Sequence, residues 1–301
     1  MKSENLLNLL REKYRKQLEQ LELNIKKLFE EKVLIPEFIL MGKRLRALAY
    51  MIVVKNYNLL NDMTLNLAIS VELLHASSLI HDDIIDNENI RRDYPTVNKL
   101  YGNSVAVLSG DYVFIKSLEF VKNYGNSLVL DEFIRTSKNM IRGELYEELL
   151  SKEDKLLKKN YFDIIKNKTA SLFEYSFSSS AIVVNQDIDK FRDFGSLLGV
   201  AYQIIDDCED FFIDIKRGKI SLPLIFAFEE YKEVLNYIED EVKLKDIIKS
   251  CNAHKKTINI AFDYLDKFVS SLRTCGCFYE DFSYYVDYLR ERSYEWLSYF
   301  D

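Results

Sequence analysis

The sequence predicts an all-α protein, a single domain over residues 1–301 built from about eight to twelve helices joined by short loops. Two observations carry this. First, the chain holds nine Gly and three Pro in 301 residues, where average usage would put roughly 35 such breakers. A sheet-rich fold needs turn residues every 8 to 12 positions or so, and this chain lacks them. Second, apolar residues recur at three and four, as in Leu6, Leu9, Leu10 and Tyr14, or Ile164, Ile165, Leu172 and Phe173, which is the period of a helix face.

The helices are separated where glycine, proline or Asn/Asp clusters fall. These breaks lie around Pro36 to Gly42, Asn56 to Met63, Arg91 to Gly102, Tyr124 to Asn126, Ser151 to Asp154, Asn185 to Asp189, and Asp214 to Pro223. No heptad or fixed-period repeat runs through the chain, which excludes a coiled coil and a solenoid. The closing segment, FYEDFSYYVDYLRERSYEWLSYF, is crowded with aromatics and reads as a core-facing helix stripe.

With 48% hydrophobic and 30% charged residues, the chain has the make-up of a packed globular protein and not of a disordered one. Its net charge of -7 argues against a nucleic-acid partner, because phosphate backbones require a positive stripe. The first residues mix charges with leucines and carry no secretion signal, and no stretch of about 18 uncharged apolar residues is present to cross a membrane. Four cysteines, Cys208, Cys251, Cys275 and Cys277, do not make a disulfide framework in so large a chain, and Cys275-Gly276-Cys277 alone supplies too few thiolates for a structural zinc. A cytoplasmic location is expected.

Two acidic clusters stand out. LLHASSLIHDDIIDNENIRR contains Asp82, Asp83 and Asp86, and AYQIIDDCEDFF contains Asp206, Asp207 and Asp210. Both have the spacing Asp-Asp-x-x-Asp. On a helix the outer two residues of such a triplet lie about 40° apart and one turn along. One triplet alone reads as a solvated acidic face; chance supplies roughly 0.1 per chain of this length, so two are hard to dismiss. Each also follows an apolar run, which puts it at the mouth of a bundle. Hard oxygen ligands in this pattern suit Mg²⁺, which keeps waters and shares substrate phosphates. Basic residues lie nearby in sequence: Lys43, Arg44 and Arg46 in MGKRLRAL, and Arg91 with Arg92. Guanidinium forks match phosphate oxygens, so bridged acid clusters and these cations together predict a diphosphate ligand.

GKRLR, ELLHASSLIHDDIIDN, RRDYPTVN, Lys168-Thr169, YQIIDDCED and DIKRGKISLPLI resemble the motifs of the trans-type isoprenyl diphosphate synthases, or polyprenyl synthetases, over residues 30 to 230. The resemblance implies a helical bundle with a deep central cavity, a homodimer, and head-to-tail joining of isopentenyl diphosphate to an allylic diphosphate (dimethylallyl, geranyl, farnesyl or longer). It implies that Asp82, Asp83, Asp86, Asp206, Asp207 and Asp210 bind Mg²⁺. Arg91, Lys168 and Lys219 would steady the allylic diphosphate; Lys43, Arg46, His75 and Arg92 would hold isopentenyl diphosphate; Thr169 and Gln203 would line the reacting centre.

The family's Gly-Gly-Lys-Arg is Met41-Gly42-Lys43-Arg44 here, and the connection between Asp210 and Asp214 is shorter than in relatives. By the same resemblance, Ser77 and Ser78 sit at the floor of the growing-chain pocket, with Leu74 and Val71 deeper. One helical turn rises about 5.4 Å, near the length of an isoprene unit, so small residues at 77 and 78 point to a product of C20 or longer. Two other functions compete. A terpene cyclase or head-to-head synthase would not need the isopentenyl-binding residues, and a non-catalytic partner or regulatory subunit would not need both acid clusters.

Overall fold

The computed structural model describes residues 2–28, 37–276 and 279–300. The described chain forms α1 (Lys2–Lys13), α2 (Arg15–Lys27), α3 (Leu45–Asn56), α4 (Asp62–Ile85), α5 (Val97–Tyr101), α6 (Asn103–Tyr124), α7 (Ser127–Leu149), α8 (Lys152–Lys155) and α9 (Lys158–Ile165). It continues through α10 (Ser171–Val183), α11 (Ile188–Glu209), α12 (Phe211–Lys216), α13 (Leu222–Glu230), α14 (Glu241–Ser250), α15 (Ala253–Cys275) and α16 (Tyr279–Ser298). A π-helical turn, Lys166–Ala170, joins α9 to α10. The expected all-α class holds. The helices outnumber the expected eight to twelve because local breaks, such as Tyr14 between α1 and α2, cut runs that read as continuous. The break at Pro36 and the residue Cys277 lie outside the described residues.

The chain divides into two compact units. One comprises the described residues of Met1–Leu10, Lys138–Glu174 and Arg192–Asp301; the other comprises Arg11–Ser137 and Tyr175–Phe191.

The core of the second unit is α4. Asn61 starts it with a capping box: its Oδ1 accepts from the backbone N–H of Met63 and Thr64, and its own N–H donates to Thr64 Oγ1 at 3.0 Å. By length and composition α4 could cross a membrane, but most of it is buried in protein, so its apolar character is that of a core helix. Small residues let α6 approach it closely. Ser77 Oγ donates to the Gly110 carbonyl at 3.0 Å, and Ser117 Oγ to that of Ser70 at 2.6 Å. A Cβ on Gly110 would collide with His81 Nε2. Tyr175 closes this layer, its hydroxyl 3.1 Å from Ser70 Oγ and its ring edge-on to Phe133.

In the first unit, α11 lies against the start of α10 and the end of the π turn through two glycines. Cβ atoms added at Gly195 and Gly199 would fall 2.5 Å from Glu174 Cα and 2.6 Å from Ala170 Cα, so backbone meets backbone there. The aromatic stripe of the last helix faces inward as expected: Phe282, Tyr285, Tyr288 and Trp296 are buried, and Phe282 packs edge-on to Phe268. Cys208 and Cys251 are buried free thiols.

Candidate active site

In the second unit, Asp82, Asp83 and Asp86 close the C-terminal end of α4. The chain then turns through a two-residue hairpin, in which Ile90–Arg91 pairs with Tyr94–Pro95. Its central residues, Arg92 (φ 52°) and Asp93 (φ 67°), are both left-handed, the requirement of a type I′ turn usually met by Asn-Gly. The hairpin delivers Arg91 onto Asp83: Nε donates to Oδ1 at 2.5 Å. Asp83 is 1% exposed, and its buried Oδ2 makes no hydrogen bond. Burial pushes its carboxyl up to about 6, against the pull of Arg91.

The basic residues gather around His75. Arg46 Nη1 lies 3.1 Å from His75 Nε2. Burial, then the charges of Arg46, Arg92, Arg91 and Arg44, hold the imidazole well below its usual range, so His75 is neutral at physiological pH. Gly42 lies where the Arg44 and Arg92 guanidiniums converge, each 3.2 Å from a Cβ built there. Arg44, at φ 57°, has a different task. It is buried, donates to Glu72 Oε2 at 3.2 Å and to the Ile39 carbonyl at 2.7 Å, and thereby anchors the loop that presents Lys43 and Arg46. Like charges are costly to collect in one place unless an anion joins them.

In the first unit, Asp206 and Asp207 occupy the last turn of α11, and Asp210 separates it from α12. A relay of hydrogen bonds fixes Asp207. Thr169 Oγ1 donates to Gln203 Oε1 at 2.7 Å, Gln203 Nε2 to Asp207 Oδ1 at 2.5 Å, and the Tyr161 hydroxyl to Asp207 Oδ2 at 2.6 Å. Enclosure raises the Asp207 carboxyl to about 7, although both donors favour its ionised form. Partial enclosure and the charges of Asp206 and Asp214 raise Asp210 as well. Tyr161→Phe is expected to lower stability by about 2 kcal/mol, the cost of a lost hydrogen bond to a charged acceptor; chemical unfolding of the variant measures it.

Lys168 and Thr169 ride on the π turn, a feature common at functional sites. Lys168 Nζ is held by Glu144 Oε2 at 2.6 Å and Glu147 Oε2 at 2.9 Å, both from α7. Gly143 allows this approach, since a Cβ there would lie 2.6 Å from the Lys168 backbone nitrogen. Lys219 follows α12 in a turn where its N–H donates to the Asp214 carbonyl at 3.0 Å. The partners that escaped the sequence reading are Glu144, Glu147, Glu72, Glu209, Tyr161 and Arg292. The Glu-x-x-Glu spacing of the first two was the signal available. Arg292, on α16, donates to Asp206 and Glu209, and nothing in the sequence links it to them.

Neither triplet converges on one cation. Among the described residues, no three His, Cys, Asp or Glu side chains form a cage able to hold a metal by themselves. The reason is local: Asp83 turns to Arg91, and Asp207 to Tyr161 and Gln203. The donor set still fits Mg²⁺. It is all carboxylate, includes the orphaned Asp83 Oδ2, and would leave most of the coordination shell to waters and phosphate oxygens, as Mg²⁺ prefers.

Helices bearing two carboxylate turns and a separate guanidinium cluster define an enzyme of diphosphate substrates, and the same fold occurs in solved synthases. The chain superposes on a decaprenyl diphosphate synthase from Rhodobacter capsulatus with a TM-score of 0.81, at 22% identity, covering 95% of this chain and 99% of that one. A polyprenyl synthase from Caulobacter crescentus, complexed with calcium and isoprenyl diphosphate, matches with a TM-score of 0.79 at 24% identity, covering 94% and 97%. The chain belongs to the polyprenyl synthetase family, whose model matches residues 32–265. It is a trans-prenyltransferase. It is 35% identical over 243 residues to a geranylfarnesyl diphosphate synthase from Methanosarcina mazei, covering 74% of this chain and 81% of the relative.

Proposed function

We propose that the protein joins isopentenyl diphosphate head-to-tail to an allylic diphosphate, with Mg²⁺ as the metal, and releases a product of C20 or longer. The observation that carries the elongation reading is the group of arginines around neutral His75. Guanidiniums gathered beside a neutral imidazole suit a second diphosphate, and a cyclase acting on one diphosphate has no use for them.

In this reading Lys43, Arg46, His75 and Arg92 hold isopentenyl diphosphate. Asp82, Asp83, Asp86, Asp206, Asp207 and Asp210 would hold Mg²⁺, with Asp83 and Asp207 also braced by protein donors. Bound magnesium would neutralise the departing diphosphate. By the family resemblance Arg91, Lys168 and Lys219 would each donate to phosphate oxygens, with Lys168 exchanging Glu144 and Glu147 for them. Thr169 and Gln203 orient dipoles beside the reacting carbon. The allylic C–O bond breaks, the alkene of isopentenyl diphosphate forms the new C–C bond, and the proton lost passes to the departing diphosphate. The apolar run preceding Asp82 keeps water from the cation.

The test is purified protein with Mg²⁺, labelled isopentenyl diphosphate and allylic primers of increasing length, followed by product sizing. Chain elongation supports the reading; binding of both diphosphates without turnover would instead identify a partner subunit.

Product length is assigned to Ser77 and Ser78, with Leu74 a turn deeper. Ser77 is buried against the Gly110 carbonyl, whereas Ser78 is half-buried and bonds the His75 carbonyl at 2.9 Å. Ser77→Phe should shorten the product by at least one isoprene unit while lowering the melting temperature, because it overpacks the contact with α6. Ser78→Phe probes the same floor with less strain. Unaltered products from both variants would remove the assignment.

Homodimerisation is proposed on exposed apolar residues of the second unit, Leu100, Val107, Leu108, Ile115, Leu128 and Ile134, among which Leu108 and Ile115 lie two turns apart on one face of α6. Light scattering should show a dimer, and the double change Leu108→Asp, Ile115→Asp should yield monomers.

A further inference from the structure

The second acidic turn carries its own cation. Arg292 lies on α16, is 3% exposed, and stacks over the rings of Tyr202 and Tyr288 at 5.4 and 5.5 Å. Its Nε donates to Glu209 Oε1 at 2.5 Å, and its Nη2 to Glu209 Oε2 at 2.5 Å and Asp206 Oδ1 at 2.8 Å. Its Nη1 is buried and makes no hydrogen bond. The guanidinium therefore has two edges. One forks onto Glu209, while Asp206 receives a single bond and keeps a third of its side-chain surface exposed.

Arginine stays charged at any physiological pH, so this cation is a permanent resident among Asp206, Asp207, Glu209, Asp210 and Asp214. It lowers the repulsion that would splay the turn in the metal-free protein. It also competes for Asp206 with any divalent ion that arrives. How strongly it competes depends on Glu209, which draws most of the fork away from Asp206.

We propose that Arg292 is a positioning residue that orients Asp206 through one oxygen and sets the divalent-cation affinity of the second acidic turn, with Glu209 as the balancing anion. This rests on the reading of Asp206 as a metal ligand. It ties the packing of the last helix to cation binding some 80 residues earlier in the chain.

The experiment titrates the full-length protein and its variants with Mn²⁺ alone, reading free Mn²⁺ by electron paramagnetic resonance, with thermal melts as a folding control. Asp206→Asn identifies the binding component that belongs to this turn. Arg292→Gln removes the competitor and should tighten that component at least fivefold, roughly the size of one charge pair at about 4 Å in bulk water. Turnover should fall nonetheless, since Asp206 is no longer held in place. Glu209→Gln frees the fork for Asp206 and should weaken the same component by a similar factor. Arg292→Lys keeps the charge and should restore the wild-type Mn²⁺ affinity more fully than the turnover.

The opposite signs are decisive, because loss of packing would weaken binding in both variants alike. Weakening in both, or no change in either, overturns the proposal. If Arg292→Gln does not fold, Arg292→Met, of similar length and without the charge, takes its place, so that both signs are still read. If Asp206→Asn leaves Mn²⁺ binding untouched, the metal-ligand reading itself fails, and that result is distinguishable from the others.

Discussion

Asp82→Ala is expected to reduce elongation by roughly 10³-fold in kcat/KM, about 4 kcal/mol of transition-state stabilisation, while leaving the fold intact. Asp82 is half-buried in the last turn of α4, at the end of the helix. Its removal takes a charge from the turn without opening a cavity. The same change at Asp83 should behave differently. Asp83 is the buried partner of Arg91, so Asp83→Ala strands a half-buried guanidinium and should lower stability as well as rate. Single-turnover assays with saturating Mg²⁺, paired with thermal melts, separate the two. Turnover of Asp82→Ala within tenfold of wild type would sink its role as a metal ligand.

The second large effect is expected at Gly143. Its backbone meets the π turn so closely that a Cβ would stand 2.6 Å from the Lys168 nitrogen and 3.0 Å from Asn167 Cβ. Neither neighbour is a flexible side-chain end, so α7 and the turn must separate. Gly143→Val should therefore cost about 3 kcal/mol through overpacking. It should also displace Lys168 from Glu144 and Glu147, and misplacement by about 1 Å at a reacting centre costs on the order of 100-fold in rate. Urea unfolding reads the first loss and steady-state kinetics the second. A variant as stable and as active as wild type would show that the close approach is not needed.

The two effects differ in how visible their residues are from the chain alone. Asp82 announces itself, because a repeated Asp-Asp-x-x-Asp after an apolar run is rare and its chemistry is local. Gly143 does not, because one glycine in a helical stretch carries no mark of what lies across from it. The clustering of Arg46, Arg91 and Arg92 about His75 is intermediate: each was named from sequence, while the neutral state of the imidazole follows from its burial and then from their convergence. Arg44, beside them in the same motif, turned out to be an anchor for Glu72.

Composition and periodicity were sufficient for the helical class, and motif spacing for the acidic turns and the diphosphate chemistry, because those signals are carried by residues within a few turns of one another. The number of helices, the π turn under Lys168, the hairpin that brings Arg91 to Asp83 and the fork of Arg292 on Asp206 and Glu209 were settled by packing. Such pairings join segments far apart along the chain, and their energy depends on burial and distance, which no local pattern encodes.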